Sequence, residues 1–340
     1  NGMSSVSTSM LINANGGVNG HPVQHVVADD GGDPARHRAL VQQMVEERGV
    51  IAFVGNPDGL TGAQSKDYLT KAGVPVIGGD GGGQWFNQSP TYFPQGPHGD
   101  AFLTANGSAI ATTAVADKMP KTGLMTCVEA QVCRDAAKSF KALFPKFGAQ
   151  IVYTAEASIG QPDYTAECLS ARNAGVQVFA LGMDGNSILR VAQSCARQNF
   201  RPVFAYVANT ALPSHAKEPA LENAILANIV ATWASSASPA LAEYQKAMSS
   251  AGIAPEAGNI VGWVAGKLFE FGARQLPEPA TRAAMLDGLW TIPKGTTLGG
   301  LTGPLSFERN KPATPSFCSS VTRLRGGKFA ALRGAEIPCY

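Results

Sequence analysis

Charge is scarce in this chain. Asp, Glu, Lys and Arg make up 15% of its 340 residues and leave a formal charge of only +2, so no polycationic face forms and nucleic acid is not an expected partner. Long apolar runs are missing too. None approaches the ~18 consecutive residues that span a bilayer, and the first residues, Asn1-Gly2-Met3, do not open a basic-then-apolar leader. A soluble chain is the expectation. Cysteine is absent from the first third of the sequence, and the six that follow, Cys127, Cys133, Cys168, Cys195, Cys318 and Cys339, include no C-x-x-C pair. That spacing argues against a zinc site. Signatures of catalysis are also lacking: there is no G-x-S-x-G, no H-E-x-x-H, no G-x-x-x-x-G-K-[ST], and no strand-linked G-x-G-x-x-G followed by an acid. The glycine-rich run at residues 78–83 continues as Gln84-Trp85-Phe86, without the lysine of a phosphate loop. No catalytic residue, cofactor or metal is therefore expected, and a Rossmann-type enzyme is the lesser reading.

What is present is apolar and regular. Hydrophobic residues make up 44% of the chain, and the length suits two domains of about 100–200 residues each. After Pro22, short continuous apolar runs (23–28, 51–54 and 74–77) alternate with helix-like stretches (34–48 and up to 72), a βαβαβ pattern. The pattern restarts at Gly123, with strands expected at 124–128, 151–155, 176–181 and 203–207. Helices are expected between them near 133–147, 163–174 and 186–198, and residues 100–118 form a connecting helix. Continuous apolar strands between amphipathic helices mark parallel sheets covered on both faces, so the fold class is α/β with two doubly wound units. The even cysteine count favours disulfides and an oxidising compartment; reduced core thiols remain the alternative.

Ligands of such sheets bind beyond the carboxyl ends of the strands. The loops there read GNPDGLTG (55–62), GGDGGGQWF (78–86), VEAQVCRD (128–135), LGMDGNS (181–187) and YVANTAL (206–212). They supply as candidate ligand contacts Asn56, Asp58, Gly59, Thr61, Asp80, Gly81, Gly82, Gln84, Trp85, Glu129, Gln131, Asp184, Tyr206 and Asn209. Gln95 and His98 are weaker candidates.

The stretch INANGGVNGHPVQHVVADDGGDP (12–34) resembles the end of the first helix and the second strand of type I periplasmic solute-binding proteins of the branched-chain amino-acid group. Further similar segments follow in order: GVIAFVG (49–55), AGVPVI (72–77), PTYFP (90–94), LTGPLSF (301–307) and a closing RGGKF (325–329) like the family's final hairpin. The resemblance implies two lobes joined by three crossovers, with a small solute enclosed in a cleft as a hinge closes. Lobe 1 would hold residues 1–119 and 236–296, and lobe 2 residues 120–235 and 297–340. It also implies a monomeric extracytoplasmic receptor that hands its solute to the membrane permease of an ABC importer, or the ligand-sensing domain of a receptor with the same fold. Asn1 would fall in or just before the first helix, so the family's opening strand and Gly-rich loop are expected upstream. Without that strand two neighbouring sheet edges would be unpaired.

On this division all six cysteines fall in lobe 2. That favours the local pairs 127–133, 168–195 and 318–339, although spacing alone does not select among the possible connectivities. In relatives that bind amino acids, hydroxyl donors hold the ligand carboxylate where Gly59 and Gly81-Gly82 stand here. An acid pairs with the ligand ammonium where Asn209 stands, and a Tyr stands at Val132. Loss of those groups leaves glycine amides as an anion nest and Trp85, Phe86 and Tyr206 as aromatic walls. These suit a neutral or anionic solute better than a zwitterion, with Glu129 or Asp184 as replacement acids.

Overall fold

The computed structural model describes residues 12–13, 16–56, 58–59 and 61–340. The segment expected to open the first helix, residues 1–11, lies outside them. In chain order the first elements are α1 (Pro34–Glu46), β1 (Phe53–Asn56), α2 (Lys66–Lys71), β2 (Val76–Gly79), β3 (Tyr92–Phe93) and α3 (Asp100–Ala116). Next come β4 (Lys121–Cys127), α4 (Gln131–Leu143), β5 (Gln150–Ala157), α5 (Thr165–Asn173), β6 (Val178–Gly182), α6 (Gly185–Arg197), β7 (Val203–Val207) and β8 (Ile225–Asn228). The last are α7 (Pro239–Ser250), α8 (Ala257–Ala273), α9 (Arg282–Trp290), β9 (Ser320–Arg325) and β10 (Lys328–Ala331). The described residues divide into two compact units: those up to 102 with 229–318 and 339, and 103–228 with 319–338 and 340.

The first unit is built on a parallel sheet in the order β1-β2-β3, with Phe53 opposite Val76 and Ile77 opposite Phe93. All four residues of β2 are buried, as a continuous apolar run at the centre of a covered sheet requires. Helix α1 starts where the sequence signals a start: Asp33 caps it by accepting from the Arg36 N–H at 2.8 Å, and Pro34 takes the first turn. Its Val41 and Val45 join Phe53, Leu69, Val74 and Val76 in one core cluster. On the other face α8 packs against β1 and β2, and α9 packs on α8. That last crossing is close: a Cβ at Gly288 would lie 1.9 Å from the Gly272 carbonyl oxygen.

One expected strand pairs with no other strand among the described residues. Residues 23–28 have no regular secondary structure and enter no ladder among the described residues, and Val26 and Val27 are 38% and 59% exposed. Among the described residues β1 is an edge of its sheet and pairs only with β2. A cavity of about 970 Å³ lies between this segment, α1, β1 and α8. Asn13 ties the segment down, its side chain donating to the Val23 carbonyl and accepting from the Val23 N–H.

The second unit is a seven-stranded sheet in the order β10-β9-β8-β7-β6-β4-β5, parallel except where β9 meets β8 and β10. The closing hairpin sets Arg325 opposite Lys328. Strands β4, β6 and β8 are almost wholly buried, and α4, with Ala136, Ala137 and Phe140 on its buried face, lies against β4. Helix α3 belongs here from Leu103 onward: Gly107 lies so near Phe140 and Leu143 that a Cβ would come within 2.8 Å of either side chain. Buried Arg323 on β9 pairs with Asp117 just past α3 and donates to the Asn223 carbonyl at 2.7 Å. Disulfides join Cys127 to Cys133 and Cys168 to Cys195 in this unit, and Cys318 to Cys339 in the first.

Candidate functional site

In the first unit the loops after β1 and β2 meet. The Asp80 carboxylate, immediately past β2, accepts from the Gly59 N–H and the Gly82 N–H, both at 3.0 Å. Glycine at 59 is required by this arrangement, because a Cβ there would lie 2.3 Å from Asp80 Oδ2. Gly62 does the same for Asp58, whose Oδ2 would lie 2.2 Å from its Cβ. Gly81, at φ +91°, turns the chain between Asp80 and Gly82. Asp58, Gly59, Thr61, Asp80, Gly81 and Gly82 are thus one cluster, and Asn56, Asp58, Thr61 and Asp80 line the cavity.

The cluster is acidic and poorly solvated. Asp58 is only 4% exposed; burial, and next the neighbouring Asp80 charge, push its carboxyl up to about 8. Burial also raises Asp80, against the hydrogen bonds from the Gly82 and Gly59 amides. Among the described residues Asp58 Oδ1 has no hydrogen-bond partner.

Two residues that were not candidates from sequence complete the corner. His37 Nδ1 lies 3.0 Å from Asp30 Oδ2, and Thr61 Oγ1 donates to that same oxygen at 2.7 Å. Burial pushes the Asp30 carboxyl up, but hydrogen bonds from the Gly32 amide, Thr61 and His37 outweigh it and hold Asp30 below the usual carboxylate range. His37 is 7% exposed, and its Nε2 has no partner among the described residues. The available signal was the pair Asp29-Asp30 before Gly31-Gly32: each aspartate accepts from the amide two residues on, and the glycines take φ +63° and +75°.

The neighbouring candidates have other partners. Gln84 Nε2 donates to Asp100 Oδ1 at 3.0 Å, and Trp85 packs on the α1–β2 core cluster. Gln95 is buried and bonded through both ends of its amide to the Gly79 backbone. Buried His98 packs on Phe86, with 4.4 Å between ring centroids, and burial lowers its imidazole to about 4.

In the second unit, Glu129 accepts from Ser158 Oγ at 2.6 Å and from the Ile159 N–H at 3.0 Å. The Ser158 hydroxyl is the main reason it lies below the usual range. Gln131, opening α4, bonds to Arg134 and Asp135. Asp184 is the N-cap of α6, accepting from the Asn186 and Ser187 amides. Tyr206 is 1% exposed, with its hydroxyl 3.1 Å from His215 Nδ1. Asn209 is exposed on the short turn Ala208–Thr210. Of these, Asp184 and Tyr206 sit close together, because His215 also reaches the Gly185 carbonyl at 2.9 Å.

A family model described as periplasmic binding protein matches residues 10–328. No curated protein sequence matches the chain. Among solved structures, a branched-chain amino acid ABC transporter protein from Thermus thermophilus with bound valine is similar, with a TM-score of 0.82 and 16% identity, covering 100% of this chain and 91% of that one. A solute-binding protein from R. palustris in complex with benzoate gives a TM-score of 0.77 at 14% identity, covering 99% and 92%. The branched-chain amino acid transporter substrate-binding protein of Streptococcus pneumoniae, in complex with isoleucine, gives 0.78 at 17%, covering 99% and 93%.

Proposed function

The chain belongs to the periplasmic binding protein family, a family of binding proteins rather than enzymes, and we propose that it binds a small organic solute outside the cytoplasm and delivers it to the membrane permease of an ABC importer. The solute classes are those of its structural relatives and their near chemistry: amino-acid-like molecules, carboxylates or amides. The observation that carries this reading is the convergence of the β1 and β2 loops, where Gly59 bonds Asp80 and partly shielded polar groups gather beyond the carboxyl ends of parallel strands, where α/β sheets take ligands. Three disulfides support the extracytoplasmic setting. Among the described residues no helix is long and apolar enough to cross a membrane.

The test is to denature protein purified from its expression host without added ligand and to identify the released small molecules by mass spectrometry. One organic solute at near-stoichiometric amount is expected. No released solute, together with no thermal stabilisation by any amino acid, carboxylate or amide of a broad panel, would refute the reading.

A further inference from the structure

The chain passes between its two units after residues 102, 228 and 318, and is back in the first unit at Cys339. Each side of these connections is tied within its own unit. In the second unit buried Ser319 gathers them: its hydroxyl lies 2.9 Å from the Asn228 carbonyl oxygen and 3.1 Å from Asn106 Oδ1. In the first unit the segment 301–303 does the same, with the Ala231 N–H donating to the Leu301 carbonyl at 2.8 Å and Thr302 Oγ1 donating to the Gln95 carbonyl at 2.6 Å. Gly303 then seats Cys318, for a Cβ there would lie 2.8 Å from the Cys318 sulfur.

Cys318 and Ser319, one in each knot, are joined by a single peptide link. The Cys318–Cys339 disulfide and the Ser319 N–H, which donates to the Pro338 carbonyl at 2.9 Å, pair the outgoing chain with the returning one. The third connection is therefore a closed two-stranded ribbon, whose strands move only together. Opened, it is one strand that turns about its own φ and ψ. This disulfide is also the one that solvent reaches. Cys339 is exposed, whereas the other five cysteines are buried, the most exposed of them, Cys133, at 8%. Thiol–disulfide exchange needs a thiolate to reach one of the sulfurs, so access decides which bond opens first.

We propose that Cys318–Cys339 is a thiol-sensitive clamp on the third connection, opened by small dithiols while Cys127–Cys133 and Cys168–Cys195 stay closed. A thiolate of the dithiol attacks Cys339 Sγ; the S–S bond breaks and its electron pair leaves on Cys318 Sγ. The reagent's second sulfur then attacks the mixed disulfide, releasing Cys339 and leaving as a cyclic disulfide. One dithiol is oxidised and two cysteines are reduced, the two protons ending on their sulfurs. The clamp acts on the connection and not on the solute, so it stands or falls apart from the solute-binding reading.

Dithiothreitol titration of the folded full chain, quenched with iodoacetamide and read by peptide mass spectrometry, tests the selectivity: Cys318 and Cys339 are expected to be labelled about tenfold or more faster than the other four. Earlier or simultaneous opening of another pair would overturn the proposal, as would no opening short of unfolding. Hydrogen exchange of the Cys318→Ser/Cys339→Ser variant against wild type tests the clamp, with folding checked by circular dichroism; the selectively reduced wild type gives the same comparison without a substitution. Exchange is expected to rise about tenfold or more both within residues 319–338 and at Ala231, whose amide belongs to the knot of the first unit. Faster exchange confined to 319–338 would mean fraying of the hairpin alone, and unchanged exchange would mean no restraint; either result overturns the clamp.

Discussion

Replacing Asp58 by Asn should stabilise the protein, and should do so only at neutral and alkaline pH. Asp58 is buried beside Asp80, and its carboxyl is displaced from 3.8 to about 8. Between those two values the folded state keeps a proton that the unfolded chain releases. Folded protein therefore binds more protons than unfolded, and stability falls as pH rises through this window. At about 1.4 kcal/mol per unit, a displacement of about four units sets an upper limit of about 6 kcal/mol; mutual adjustment of the Asp58–Asp80 pair brings the expected figure to roughly 2–4 kcal/mol. Asparagine has nearly the same shape, carries no titrating proton, and resembles the neutral acid that the site prefers. The variant should match the wild type near pH 4, pull ahead steadily to pH 8, and keep a constant margin above that. Urea unfolding midpoints at half-unit pH steps measure the margin directly. Parallel pH profiles for the two proteins, or an Asp58→Asn protein less stable than wild type at pH 8, would show that Asp58 is ionised and satisfied in the folded state.

His98 gives the opposite slope at acid pH. Burial lowers it to about 4 from 6.5, so the unfolded chain binds the extra proton and stability falls as pH drops below 6.5, by up to about 3 kcal/mol; His98→Gln should flatten this limb, and an unchanged acid limb would refute the assignment. Removing the Cys168–Cys195 disulfide by paired Ala substitutions should cost about 3.5 kcal/mol, against about 2 kcal/mol for Cys127–Cys133, because their sequence separations are 27 and 6. Chemical denaturation of the two double variants orders them, and titration of the denatured, unreduced wild type should find no free thiol. Asp117→Ala leaves buried Arg323 without its carboxylate and should cost roughly 3–5 kcal/mol; a loss below about 1 kcal/mol in urea unfolding would mean that the Asn223 carbonyl suffices.

The parts of the fold legible in the sequence are those fixed by neighbours along the chain. Asp33-Pro34 starts α1 because a cap and a first-turn proline need only local geometry, and Val76-Ile77 reads as a covered strand from its own composition. Residues 23–28 have a similar apolar composition but enter no ladder among the described residues, and a ladder needs a partner strand that local pattern does not supply. Asp184 carried a local signal too: an acid three residues before Ser187 is a helix-cap pattern, and capping α6 is where the structure puts it. Tyr206 was legible as an aromatic beside a strand end, but its burial against His215 depends on the return of residues 213–217.

The candidate site divides along the same line. Gly59 was legible as a missing hydroxyl, because a glycine announces what it lacks. What fills the space was not legible, because Asp80 arrives from the next strand, across a sequence separation of 21 residues from the amide it takes. A donor-rich glycine loop and an acceptor-rich acidic corner have the same one-letter string. They differ only in which side chain turns back onto the amides, and the chain turns there at Gly81, whose φ is +91° and where a Cβ would lie 2.4 Å from Phe102 and 3.3 Å from Ile229. Glycine at 81 is thus required twice over, because its positive φ disfavours any L side chain and its surroundings leave no room for one.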